Sequence, residues 1–449
     1  MISEPFLWQK EDMIPSSGLR YLVRTADYIL KDEEGNFEGS MFSYSYIRLP
    51  EDRNRPVAFA YNGGPGSDSK WVHLGFLAPK VLKIPGYPET ENPAKAILTD
   101  NSNCLLDTCD IVRINPVGTS YTETSDAAKK KYFGTAGDAD SFVSFICHWL
   151  KENGREDSPV YLIGESYGTI RNLAVGDRLP ESVNLKGIIH IGVSFNVGSK
   201  TQFFVEPNVR RLGLNAAVCW YYLHRDEMSK DVFIKEAMDF AYTDYAHALL
   251  AGNNLSEDEK KTVADKLHRY TNLDPEFLIR NRLRFSETDF IMNAIPGRVI
   301  SVYDARVSIE KRAIDPEKEF IRQEPFMVKI GSRIDDCMAE YEKGLKLPEG
   351  RQPLNLYEIA AGWDYASYDK DTLRLSEELL KTRPGLRMMF INGYYDTLST
   401  FDFVKLLFAQ LDLPRDRAVE RFYESGHTVY IGEPTDELIN DIRAFIRIQ

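Results

Sequence analysis

The sequence predicts an α/β fold: a mostly parallel central sheet flanked by helices, with one helical insertion. Three observations predict it. Short β-rich runs each empty into a glycine or polar loop, as Val57-Ala-Phe-Ala-Tyr61 does into Asn62-Gly-Gly-Pro-Gly66. Amphipathic stretches separate some of these runs, and strand, loop, helix, strand is the pattern of a parallel sheet covered on both faces. From residue 201 to 307 strand signals nearly vanish while helix-start signals recur.

In chain order, the first 55 residues read as antiparallel strands. Tyr21–Arg24, Ala26–Leu30 and Met41–Leu49 alternate apolar and polar, and Asp32-Glu-Glu-Gly-Asn36 reads as a turn. Asp110–Asn115 runs into Pro116-Val-Gly-Thr119, Val160–Ile163 runs into Gly164-Glu-Ser-Tyr-Gly168, and Gly187–Gly192 follows. Asp140–Glu152 carries Phe142, Val143, Ile146 and Trp149 on one helical stripe. Within 201–307, Ser256/Glu259 and Ser286/Asp289 resemble capping boxes, and Asp274-Pro275 places an N-cap before proline. Leu386–Ile391 then reads as a strand, a helix starts near Ser399, and Ala418–Tyr423 reads as the last strand. A terminal helix follows with Leu438, Ile439, Ile442, Phe445 and Ile446 on one side. The expected division is a core of 1–200 and 308–449 with a cap of 201–307.

Composition excludes several function classes. The net charge is −13, whereas nucleic acid calls for a concentrated basic face, so no nucleic-acid partner is expected. No apolar run reaches membrane-spanning length, so no membrane partner is expected. The N-terminal residues lack the basic flank and apolar core of a signal peptide. The five cysteines form no C-x-x-C pair, which argues against a disulfide framework or a zinc site. A cytoplasmic location is the corresponding expectation. No H-E-x-x-H occurs, no phosphate loop follows a strand, and neither metal nor cofactor is expected.

Gly164-Glu165-Ser166-Tyr167-Gly168 matches G-x-S-x-G between a β run and a helix-like segment. A sharp strand-to-helix turn there lifts the Ser166 hydroxyl above the sheet edge, and the Tyr167 N–H becomes an oxyanion donor. A serine needs a base. Of the seven histidines, His427 stands out, because Gly426 frees a loop after the last strand to aim its ring. In the α/β-hydrolase order the acid precedes that histidine. Asp396 lies in the loop after Leu386–Ile391, while its competitor Asp402 falls on the following helix. Asn62-Gly63-Gly64 forms a second bare turn, suited to supply the other oxyanion N–H.

Together these pieces resemble the serine carboxypeptidases of the cathepsin A and carboxypeptidase Y kind, especially bacterial relatives. The matching stretches are Asn62-Gly-Gly-Pro-Gly-Ser67, Asn115-Pro-Val-Gly-Thr-Ser-Tyr121, Gly164-Glu-Ser-Tyr-Gly-Thr169, Gly393-Tyr-Tyr-Asp396 and Ser425-Gly-His427. The resemblance implies an α/β-hydrolase fold with a cap, no cofactor, and a Ser166, Asp396 and His427 triad. It implies Gly64 and Tyr167 as oxyanion donors, with Asn62, Gly63 and Glu165 at the substrate. The implied substrate is a peptide cleaved at its C-terminal bond, with Asn62 and Glu165 bonding the terminal carboxylate. The family's carboxylic partner for Glu165 is here Phe76, its usual methionine after the histidine is Thr428, and its cysteine after the glycine turn is Ser67. Loss of the paired carboxyls removes an acid-favouring device. It keeps open a second reading, an esterase, amidase or acyltransferase acting on a small acyl substrate.

Overall fold

The computed structural model describes residues 5–91, 93–195, 197, 207–351 and 353–448. Three antiparallel strands begin the sheet: Leu7–Ile14 (β1), Leu19–Lys31 (β2) and Phe37–Arg48 (β3). The two runs expected at 21–24 and 26–30 are one strand, because the alternation passes through Thr25 without a breaking residue. β1 extends the sheet although its pattern is mostly exposed.

Six further strands follow: Val57–Tyr61 (β4), Asp110–Asn115 (β5), Val160–Glu165 (β6), Leu185–Ile191 (β7), Arg387–Gly393 (β8) and Ala418–Tyr423 (β9). The sheet order is β1-β2-β3-β5-β4-β6-β7-β8-β9. β3 pairs antiparallel with β5, and β5 through β9 are parallel neighbours. The chain steps to one side of β4 for β5 and to the other for β6. Such a reversal opens a crevice at the strands' carboxyl ends, where ligands of open α/β sheets bind.

The strand pleat sorts side chains into two cores. Val57, Phe59 and Tyr61 enter one, and Ala58 and Ala60 the other. Helices Thr135–Glu152 (α1), Tyr167–Arg178 (α2), Thr372–Thr382 (α3) and Phe401–Gln410 (α4) put Phe142, Leu173, Leu379 and Leu407 into the first core. Helix Thr435–Arg447 (α5) covers the opposite face with Leu438, Ile442 and Phe445.

Residues 201–206, the start of the expected cap, lie outside the described residues. Beyond them the chain is helical from Leu212–Cys219 through Glu287–Asn293. Ser256 and Ser286 form reciprocal capping boxes with Glu259 and Asp289, and Asp274 caps a helix with proline in its first turn. Most of the cap's aromatic rings pack among themselves. Strand structure also occurs before residue 307, since Arg298–Ile300 pairs with Ser308–Glu310. Three-residue strands are too short for their alternation to register in a sequence.

Candidate active site

Strand register assembles the site. Tyr61 of β4 lies opposite Gly164 of β6, so the next residues, Asn62 and Glu165, leave the sheet side by side. Asn62 Nδ2 donates to Glu165 Oε2 at 2.7 Å. Glu165 in turn lies opposite Ile191 of β7, and Ile191 opposite Ile391 of β8. β8 and β9 end in register at Gly393 and Tyr423. The loops bearing residues 62–64, 165–167, 396 and 427 therefore leave one edge of the sheet.

Ser166 has φ 58° and ψ −127°, a left-handed conformation that non-glycine residues rarely adopt. Its N–H donates to Ile191 O at 2.8 Å, and its carbonyl accepts from Thr169 N at 2.8 Å. Crowding at the turn explains the glycines. A Cβ on Gly164 would sit 2.1 Å from Gly168 O, and one on Gly63 would sit 2.3 Å from Tyr167 N. A bare residue 63 thus keeps the Tyr167 amide open. That amide is the first of α2, where no intrahelical acceptor exists for it.

Asp396 is fully buried. Its Oδ1 accepts from the N–H groups of Leu398 and Ser399, both at 2.9 Å. Its Oδ2 lies 2.8 Å from His427 Nδ1, which fixes the ring with the Nδ1 proton toward the carboxylate. Asp402 takes no part: its Oδ2 accepts from Leu214 N of the cap at 2.8 Å. His427 is held from behind, because its own N–H donates to Tyr303 O at 2.6 Å. A Cβ on Gly192 would reach 2.9 Å from His427 Cε1, so a bare residue there makes room for the ring.

The other ring nitrogen has an unexpected neighbour. His427 Nε2, the atom on the ring's far side from Asp396, is 3.4 Å from Glu165 Oε1. The imidazole is therefore bracketed by two carboxylates. Burial pulls its pKa down, but the charge and hydrogen bond of Asp396 and the charge of Glu165 outweigh this and raise it to about 9. Burial also pushes the Glu165 carboxyl up, against the His427 charge and the hydrogen bonds from Asn62 and Gly63.

Ser166 and His427 line one cavity of about 390 Å³ together with Asn62, Gly64 and Glu165. Its apolar walls include Trp71, Phe326, Met327, Leu356 and Leu398. Its aromatic lining is Trp71, Tyr303 and Phe326. Phe76 is fully buried and packs against Tyr430 with ring centroids 5.3 Å apart. The Tyr430 hydroxyl lies 3.3 Å from Asn62 Nδ2. His190 sits in the sheet beside Asn172, and burial depresses its pKa to about 3. It is a core histidine.

Support residues that the motifs do not reveal lie beneath the site. The buried Arg171 of α2 holds Asp138 of α1 through Nε at 2.7 Å and Nη2 at 3.1 Å. Its Nη1 donates to Asn62 O at 2.7 Å, which ties the glycine turn to the elbow helix. The sequence signal was an arginine five residues after Ser166 on a helix otherwise bound for the core. Among the described residues no cluster of His, Cys, Asp or Glu is arranged to hold a metal. No described helix is long and apolar enough to cross a membrane.

No family model matches the chain, and no curated protein sequence matches it. Solved structures do. The prohormone-processing carboxypeptidase Kex1 of Saccharomyces cerevisiae is similar at a TM-score of 0.54 and 13% identity, over 95% of this chain and 91% of that one. The peroxisomal α/β-hydrolase Lpx1 of the same yeast matches at 0.43 and 11%, over 99% and 90%. The chain has the α/β-hydrolase fold.

Proposed function

We propose that the protein is a serine hydrolase of the carboxypeptidase type, cleaving C-terminal peptide bonds through an acyl-enzyme on Ser166. The observation that carries this reading is the buried Asn62–Glu165 contact at 2.7 Å, on the cavity that Ser166 and His427 share. It puts an amide donor and a carboxyl beside the nucleophile, where a peptide's terminal carboxylate would lie. The α/β-hydrolase fold shared with Kex1, a carboxypeptidase, supports the same assignment.

This reading calls for acyl-enzyme chemistry. Ser166 Oγ attacks the carbonyl carbon while His427 Nε2 takes its proton. Asp396 stabilises the imidazolium through Nδ1. The N–H groups of Gly64 and Tyr167 donate to the oxyanion. The imidazolium then protonates the leaving amine. Water, deprotonated by the same imidazole, releases the acyl group.

One observation favours a second reading, an esterase, amidase or acyltransferase on a small molecule. Phe76 is buried against Tyr430, and among the described residues Glu165 is hydrogen-bonded by Asn62 and Gly63 and faces His427, with no second carboxyl bonded to it. An ionised Glu165 repels a substrate carboxylate and favours a neutral leaving group. Turnover of a blocked dipeptide as its free acid, amide and ester, from pH 5 to 9.5, separates the two. Preference for the free acid supports the carboxypeptidase, and preference for amide or ester overturns it. Under either reading a His427 raised to about 9 calls for activity that rises toward the alkaline side.

A further inference from the structure

A second cavity, of about 420 Å³, opens where the short hairpin at residues 298–310 meets residues 88–90, 221–225 and Lys329. Four cations line it: Arg225, Arg298, Arg306 and Lys329. They come from three separate stretches of a chain whose net charge is −13, so general composition does not account for them.

Their partners are mostly neutral. Among the described residues only Arg306 of the four pairs with a carboxylate, donating to Asp304 Oδ1 at 3.0 Å and Oδ2 at 2.6 Å. Arg298 Nε and Nη2 donate to Ser308 Oγ at 2.7 Å and Ser308 O at 2.9 Å. Lys329 Nζ donates to Thr90 O at 3.0 Å. The Arg225 guanidinium sits 3.8 Å from the centre of the Tyr221 ring. These contacts orient the cations without cancelling their charge. Burial first, and the charge of Arg298 second, lower the Lys329 pKa. Two carboxylates lie near. Glu89 lines the cavity and accepts from Tyr221 OH at 2.8 Å, and Glu310, paired with Arg312, stands opposite Arg298 in the hairpin and offsets part of its charge.

We propose that this cavity binds a compact polyanion, a small molecule bearing phosphate groups or several carboxylates, separately from the acyl substrate at Ser166. Arg225, Arg298 and Lys329 hydrogen-bond no carboxylate among the described residues, Arg298 and Lys329 repel each other, and a ligand with two or more negative charges offsets that repulsion. Guanidinium forks match phosphate and carboxylate oxygens, and a lysine adds a point charge. The volume lies in the range of small-molecule sites.

Isothermal titration of the full chain with pyrophosphate and, separately, with citrate at matched ionic strength tests the proposal. Saturable binding of at least one is expected. Tighter pyrophosphate identifies the phosphate type, and tighter citrate the polycarboxylate. Arg298→Gln with Lys329→Gln should weaken binding about tenfold or more. Because Arg298 also bonds the hairpin, Arg225→Gln, at an exposed position, serves as a second variant and should weaken binding a few-fold. Ser166→Ala should leave binding unchanged. Absence of saturable binding by both anions, or binding that Arg225→Gln and the double variant leave intact, overturns the proposal.

Discussion

The contact between Glu165 and His427 has the most specific consequence. Two unit charges 3.4 Å apart attract by about 5 kcal/mol at an effective dielectric near 20. About 1.4 kcal/mol is tenfold in a protonation equilibrium. In Glu165→Gln the charge goes, while the amide keeps an oxygen near Nε2 and some water enters. Part of the attraction is therefore replaced. His427, raised to about 9 in the wild type chiefly by Asp396 and further by Glu165, should fall part of the way toward the ordinary imidazole range. The sign is fixed: an anion beside the ring favours the imidazolium, so its removal releases the base at lower pH. The alkaline rise of kcat/KM should move down by roughly one to two pH units, and turnover at pH 7 should rise roughly ten- to fifty-fold. The assay is a pH–rate profile on a neutral ester, so that any role of Glu165 in binding a carboxylate does not enter. Superimposable profiles for wild type and variant would refute the reasoning.

Three further predictions address other parts of the site. Asp396→Asn should lower kcat by about 10⁴-fold by removing the anion that holds the imidazolium, with a melting temperature near wild type, read by calorimetry beside the kinetics. Asp402 is raised from 3.8 to about 7 by burial, against hydrogen bonds that include the Leu214 N–H. The folded state keeps a proton that the unfolded chain has lost, so this group's contribution falls as pH climbs from about 4 to 7. Asp402→Asn should abolish that fall and add on the order of 3 kcal/mol at pH 8, measured by denaturant unfolding at pH 5 and 8. Arg171→Met leaves Asp138 buried without its cation and releases Asn62 O, and should cost about 3–5 kcal/mol of stability by the same method.

Local chemistry made the elbow legible. Gly164 and Gly168 stand where the backbone of one turn meets that of its neighbours, and such demands are met within a few residues. Asp396 and His427 were legible because each follows a β run and a glycine-bearing loop. The C-terminal helix was legible from its apolar stripe, all of which is buried. What the sequence withheld depends on sheet register. The Glu165–His427 contact joins positions 262 apart through four neighbouring strands. Arg171 and Asp138 lie on different helices, and only their packing shows that one supports the Asn62 turn. Gly192 ends an unremarkable β run, and its need to be bare comes from a ring carried by a distant loop. The strand Leu7–Ile14 escaped because an edge strand with most side chains in water shows little alternation.

The claim under all of this is that Ser166 is a nucleophile activated by His427. Treatment with a fluorophosphonate at pH 9, followed by intact mass and peptide mapping, tests it most directly. One adduct per chain is expected, on the peptide carrying Ser166, absent in Ser166→Ala and strongly slowed in His427→Ala. An unlabelled protein, or an adduct on another residue that persists in Ser166→Ala, would contradict the account.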